Sequence, residues 1–231
     1  MRSNDVLKTL CSLGSQKGRE TMERFGITSI QALGISTPVL KSLARKIGRD
    51  HKLAADLWAS GIFEARAIAA MIDEPDQVTE AQMDRWARAF NSWGICDACC
   101  CYLFRRTPFA WTKVVEWSSH SKEFIKRASF SLMAYLAVHD KGTKDAAFQN
   151  LLPIIEREAR DDRLYVRKAV NWPLRQIGKR NPRLNRLAIQ SAKRIRAQGA
   201  SSSRWIAADA LRELQSKAVQ LRLARKKVRI R

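Results

Sequence analysis

Long apolar runs are absent from this chain. No segment of its 231 residues approaches the roughly 20 apolar residues that a bilayer-spanning helix needs, and Met1 to Glu20 lack the continuous apolar core of a signal peptide. The expectation is a soluble, cytoplasmic protein. Cysteine is scarce and awkwardly placed, with five in all and four crowded at Cys96, Cys99, Cys100 and Cys101. An odd, clustered set does not suit a secreted disulfide framework, so reduced thiols are expected. Cys96-x-x-Cys99 has ligand spacing, but no second pair and no nearby histidine accompany it, so no metal is expected. There is no glycine-rich phosphate loop, and His51, His120 and His139 stand apart from any nucleophile arrangement. Nucleotide hydrolysis and serine or cysteine catalysis are therefore disfavoured.

Acid is also in short supply. Forty-three Lys and Arg against 22 Asp and Glu leave a formal charge of +21 and a pI near 10.5, far beyond what solubility requires. A polyanionic partner is the leading expectation, nucleic acid ahead of a membrane surface, although charge does not separate DNA from RNA.

With only 10 glycines, 6 prolines and little strand-like alternation, apolar residues return at threes and fours along most of the chain. This periodicity predicts an all-α protein. Ser36-Thr37-Pro38 reads as a helix opening, continued by Leu40, Leu43, Ala44 and Ile47 and stopped at Gly48. A weak repeat follows in which a residue precedes a helical alanine: Arg66-Ala67, Asp97-Ala98, Arg127-Ala128, Lys168-Ala169 and Ile206-Ala207, at spacings of 31, 30, 41 and 38. Such periods predict stacked helical pairs of the HEAT type forming a curved solenoid. Connections are expected around 73–79, 105–108, 140–144, 179–183 and 199–203, none long enough to link domains. The predicted organisation is one HEAT-like domain over 1–216, then a basic tail at 217–231. That tail carries seven Lys or Arg and no acid, and is read as a frayed helix or disordered.

Two helical faces stand out. With Ser92 as an N-cap, Cys96, Cys99, Cys100 and Leu103 form a core face, flanked by Trp93 and Asp97 four residues apart. Trp93 and Asp97 are equally readable as one wall of a site or as a core edge and a solvated carboxylate. In the later helix, Val166, Val170, Leu174 and Ile177 form an apolar stripe opposite Lys168, Trp172, Arg175 and Lys179. That cationic stripe suits an anionic, sugar-bearing ligand and puts a tryptophan off the core, with Pro173 expected to kink the helix. Arg127 lies opposite Ile125, Ala128, Leu132 and Leu136, so it is expected to face solvent or ligand. A surface pair with Glu123 is its plainer alternative.

Three segments then carry a family resemblance: Gly34-Ile35-Ser36-Thr37-Pro38 with Leu43-Ala44-Arg45; Asn91-Ser92-Trp93 through Asp97; and Lys168 through Arg175 with Gly178-Lys179-Arg180-Asn181-Pro182. On these residues the chain resembles the bacterial AlkD-like DNA alkylation repair glycosylases, proteins of HEAT-like repeats, over most of residues 20 to 215. The resemblance implies an excision site of two tryptophans and an aspartate beside the deoxyribose, at Trp93, Trp172 and Asp97, with Arg127 gripping the backbone. Gly94 stands where some relatives carry an acid, a departure that bears on substrate range and rate. The resemblance further implies a monofunctional glycosylase that excises N3- or N7-alkylated purines, such as 7-methylguanine and 3-methyladenine, from duplex DNA. It would act as a monomer, without metal or organic cofactor, associated with a bacterial nucleoid. The alternatives are a non-catalytic binder of bent or damaged DNA and a HEAT-type protein scaffold.

Overall fold

The computed structural model of the chain describes residues 2–28 and 31–228. Among them every regular element is helical. Contacts divide the chain into two compact units, 1–110 and 111–231.

The first unit contains α1 (Ser3–Leu13), α2 (Gln16–Arg24), α3 (Thr37–Ile47), α4 (His51–Ala59), α5 (Phe63–Ile72), α6 (Glu80–Arg88) and α7 (Trp93–Tyr102). Helices α3, α5 and α7 pack side by side, and α4 packs on α5. Between α4 and α6, Trp58 and Trp86 stack with ring centroids 4.0 Å apart and planes 1° from parallel, with Phe90 and Phe104 around them. This aromatic block supplies most of the bulk that the small side chains of α5 cannot.

The segment entering α3 is fixed from two sides. Glu64, fully buried on α5, accepts backbone N–H bonds from Leu33 at 2.8 Å, Gly34 at 2.7 Å and Ile35 at 3.1 Å. Across the segment, Ser15 N–H donates to Leu33 O at 2.8 Å, which brings the start of α2 hard against Gly34. Gly34 has a φ of +81°, and a Cβ there would lie 2.3 Å from Ser15 O and 2.4 Å from Arg19 N. Helix α3 then runs from Ser36, with Pro38 in its first turn, to Gly48 at φ +82°.

The second unit contains α8 (Ala110–Glu116), α9 (Glu123–His139), α10 (Asp145–Glu158), α11 (Leu164–Gly178), α12 (Pro182–Ala197), α13 (Ser201–Leu214) and α14 (Lys217–Val228). Here α9, α11 and α13 form one packed layer and α10 and α12 a second. The five residue-alanine steps fall on α5, α7, α9, α11 and α13, one per helical pair, so the weak repeat marks a real structural period. Four of the five alanines are buried: Ala67, Ala128, Ala169 and Ala207. Pro173 lies inside α11 without shifting its phase, since Val166, Val170, Leu174 and Ile177 are all fully buried on either side of it.

The basic C-terminal segment was expected to fray. Instead Lys217–Val228 is a helix packed on α12 and α13, with Val219 and Leu223 buried. Its last three residues, 229–231, lie outside the described part.

Gly34→Ala should lower stability by more than the roughly 1–2 kcal/mol of a left-handed backbone alone, because its Cβ also meets backbone that cannot move aside. Urea denaturation checks this against Gly142→Ala, where the added Cβ meets open space and stability should scarcely change.

Candidate functional site

In the first unit the site helix is α7. Ser92 caps it by accepting the Ile95 N–H at 3.4 Å, and Cys96, Cys99, Cys100 and Leu103 are fully buried, as their spacing required. Burial pushes the Cys99 and Cys100 thiols well above their ordinary pKa, which suits core packing and not nucleophilic or metal-binding thiolates. Trp93 and Asp97 stand at the edge of this face, both half-buried and one turn apart. The Trp93 indole N–H donates to Phe25 O at 2.9 Å, which ties the ring to the end of α2. Phe25 itself is 69% exposed, an aromatic beside Trp93 that no periodicity singled out. Gly94 has a packing reason: a Cβ there would lie 2.9 Å from Phe63 Cζ and 3.0 Å from Ile27 Cδ1. An acidic side chain at this position would have to displace both.

In the second unit the predicted residues divide. Lys168 is exposed on α11, as expected. Trp172 is half-buried and meets Tyr135 of α9 edge-on, with ring centroids 4.9 Å apart and planes at 72°. Its ring is therefore partly supported by the protein and partly open. Arg175 and Lys179 do not form a bare cationic stripe. Arg175 Nη1 lies 2.8 Å from Glu213 and 3.4 Å from Asp209, both on α13, and Lys179 also pairs with Glu213. Asn171 completes the cluster by donating to Asp209 at 2.6 Å.

Arg127 is the clearest correction. It was expected to face solvent or ligand, but it is only 7% exposed and donates from Nη1 to Tyr165 O at 2.8 Å. Residues 125 to 134 of α9 are buried without a break, so this helix is covered on more than one side and has no open face opposite its apolar stripe. Its neighbour Lys126 is also bound, to Glu158 at 2.7 Å and Asp161 at 3.1 Å.

The Gly178–Pro182 motif is structural. A Cβ on Gly178 would meet Leu214 Cδ2 at 2.6 Å. Arg180 lies over the Phe148 ring at 3.8 Å and donates to Ala137 O at 2.7 Å and Asp140 O at 2.8 Å, closing the end of α9. Asn181 caps α12 through Leu184 N–H and holds Asp145, and Pro182 occupies the first turn.

Short helical pairs in each unit, with an aromatic and a carboxylate at an edge of the first and an aromatic and a cation at an edge of the second, define a helical-repeat protein. The chain belongs to the DNA alkylation repair enzyme family, whose model matches residues 6–214. A solved structure described as a new family of proteins related to the HEAT-like repeat DNA glycosylases, with affinity for branched DNA structures, shares its fold. The TM-score is 0.76 at 20% identity, covering 84% of this chain and 83% of the other. No curated protein matches the sequence. No described helix is long and apolar enough to cross a membrane.

Two outcomes follow from the second unit. Arg127→Ala should cost about 1–3 kcal/mol by stranding the Tyr165 carbonyl, and a wild-type denaturation midpoint would remove that support role. The second concerns Glu213. Burial pushes its carboxyl up, but the hydrogen bond and charge of Lys179, then Arg175, outweigh burial and hold it below the ordinary 4.5. A carboxyl lowered in the folded state contributes stability that is complete above its unfolded value and is lost as pH falls through the lowered native one. Unfolding free energy should therefore decline below pH 4.5. Glu213→Gln should flatten that decline, and an unchanged slope would show that the pair is not the titrating contact.

Proposed function

We propose that the protein is a monofunctional DNA glycosylase that releases cationic N3- or N7-alkylated purines, such as 7-methylguanine and 3-methyladenine, from duplex DNA. The observation that carries this reading is the half-buried pair of Trp93 and Asp97 on one edge of α7, in a chain that belongs to a DNA alkylation repair family. A purine alkylated at N3 or N7 already bears positive charge. When the C1′–N bond breaks, its electron pair neutralises the departing base, so no general acid is required. The demand falls on the sugar, which becomes oxocarbenium-like.

Asp97 meets that demand as a carboxylate that stabilises the developing charge and orients a water at C1′; the water's oxygen bonds to C1′ and its proton is released. Trp93 supplies an apolar wall beside it, fixed by its bond to Phe25 O. In the second unit the open part of Trp172 and the exposed Lys168 offer an aromatic and a cationic contact to DNA. Arg175 and Lys179, already neutralised by Glu213 and Asp209, support the wall that carries Trp172 more than they bind phosphate.

A second reading, DNA binding without excision, is favoured by the branched-DNA affinity described for the solved relative. Incubation with methylated duplex DNA and analysis of free bases separates the two. Release of 7-methylguanine or 3-methyladenine above the uncatalysed rate supports the glycosylase, whereas retained binding with no release supports the second reading. Asp97→Asn should slow release by about 10²- to 10³-fold, the loss typical of one preorganised electrostatic group, while duplex affinity stays nearly constant. Equal loss of binding and rate would remove Asp97 from the chemistry.

A further inference from the structure

At the other end of α7 from Trp93, the first unit has a concavity of about 510 Å³. Helix α3 contributes Lys41, Ala44 and Arg45, its end contributes Gly48 and Arg49, and Met71 of α5 and Tyr102 of α7 complete the lining. The lining is mainly apolar and includes an aromatic ring; it also carries three cations and no carboxylate. Lys41 Nζ lies over the Tyr102 ring, 5.5 Å from its centroid, so a cation and an aromatic ring stand together in the lining.

The three cations are not equivalent. Arg49 donates to Met71 O at 3.2 Å and to Asp73 O, so its charge offsets the carbonyls at the end of α5. Arg45 has one bond, from Nε to Lys41 O at 3.4 Å, and both Arg45 and Lys41 are exposed. These two are available to an anion.

We infer that this groove takes one nucleotide of an unpaired DNA strand, its base against Tyr102 and Met71 and its phosphate on Lys41 and Arg45. A volume of this size lies in the range of sites for small organic ligands. Phosphate alone would leave the apolar lining uncovered. A paired base cannot reach that lining, because both its faces are stacked within the duplex. An unpaired nucleotide satisfies both parts, and aromatic stacking beside a cationic track is the usual physics of single-strand binding. The nine residue steps from Trp93 to Tyr102 span about 13–14 Å of helix, or roughly four base-pair steps, so this nucleotide lies outside the lesion contacts. The inference rests on the reading of the chain as DNA-binding but not on base release.

The test is fluorescence anisotropy of the full chain with an undamaged, dye-labelled oligothymidylate, run in parallel with an undamaged duplex. Tyr102→Ala should weaken single-strand binding about 5- to 150-fold, the equivalent of about 1–3 kcal/mol for one stacked base, and leave duplex binding little changed. Tyr102→Phe should retain wild-type affinity. Arg45→Ala should reduce the salt slope of single-strand binding by about one. Thermal melting of each variant controls for folding, and if Tyr102→Ala unfolds, the exposed Arg45 and Lys41 variants decide. A folded Tyr102→Ala chain that binds oligothymidylate like the wild type overturns the inference, as does equal loss on single strand and duplex. Intact single-strand binding with no duplex binding would instead sink the proposed duplex substrate and leave the groove standing.

Discussion

The constraint that shapes this protein is that none of its helices can bury its apolar side alone. Helices of 7 to 17 residues are marginal in water, and their stability comes from packing against the next pair. Small side chains at the recurring alanine steps let neighbours approach, and the bulk is concentrated elsewhere, in the Trp58–Trp86 stack and around Phe148. Because α5, α9 and α11 are covered by neighbours on more than one side, a polar residue on them is either at an open edge or bound to the protein. Lys168 and Trp172 stand at such an edge, whereas Glu64, Lys126 and Arg127 are bound to the protein.

That division separates the family motifs by purpose. Gly34 is demanded by a positive φ and a close approach to α2, and Gly178, Arg180, Asn181 and Pro182 close and start helices. These residues identify the fold and do no chemistry. Trp93 and Asp97 differ from these in standing half-buried at the edge of the α7 core face, where Ser92 supplies the cap and the cysteines the buried side. A half-buried aromatic and carboxylate at such an edge are where the proposed chemistry is placed.

Local periodicity carried the helices, the α7 core face, the α11 apolar stripe and the repeat itself, because each is a property of one helix and its 3.6-residue turn. It failed where the deciding partner lies far along the chain. Arg175 and Lys179 look like a free cationic stripe until Asp209 and Glu213, 34 to 38 residues later, neutralise them. Arg127 looks solvent-facing until α11 covers it, and the link between Trp93 and Phe25 spans 68 positions. The C-terminal segment failed differently. Its charge run signalled disorder, yet Val219 and Leu223, four residues apart, were enough to dock a helix on α12 and α13.

The proposed chemistry fits an edge better than a cavity. An enclosed pocket serves reactions that must protonate a poor leaving group or exclude water, but a cationic purine departs unaided and water is the nucleophile. What remains is to hold a carboxylate near the sugar while the surrounding charge is overwhelmingly positive. Asp97 lies half-buried in the second turn of α7, one turn from Trp93 on the same edge. With a net charge of +21 the chain as a whole attracts the phosphates, so the site itself need not carry cations that would oppose a developing oxocarbenium. Binding by the whole surface and the proposed catalysis by the Asp97 carboxylate are then complementary demands on the same DNA.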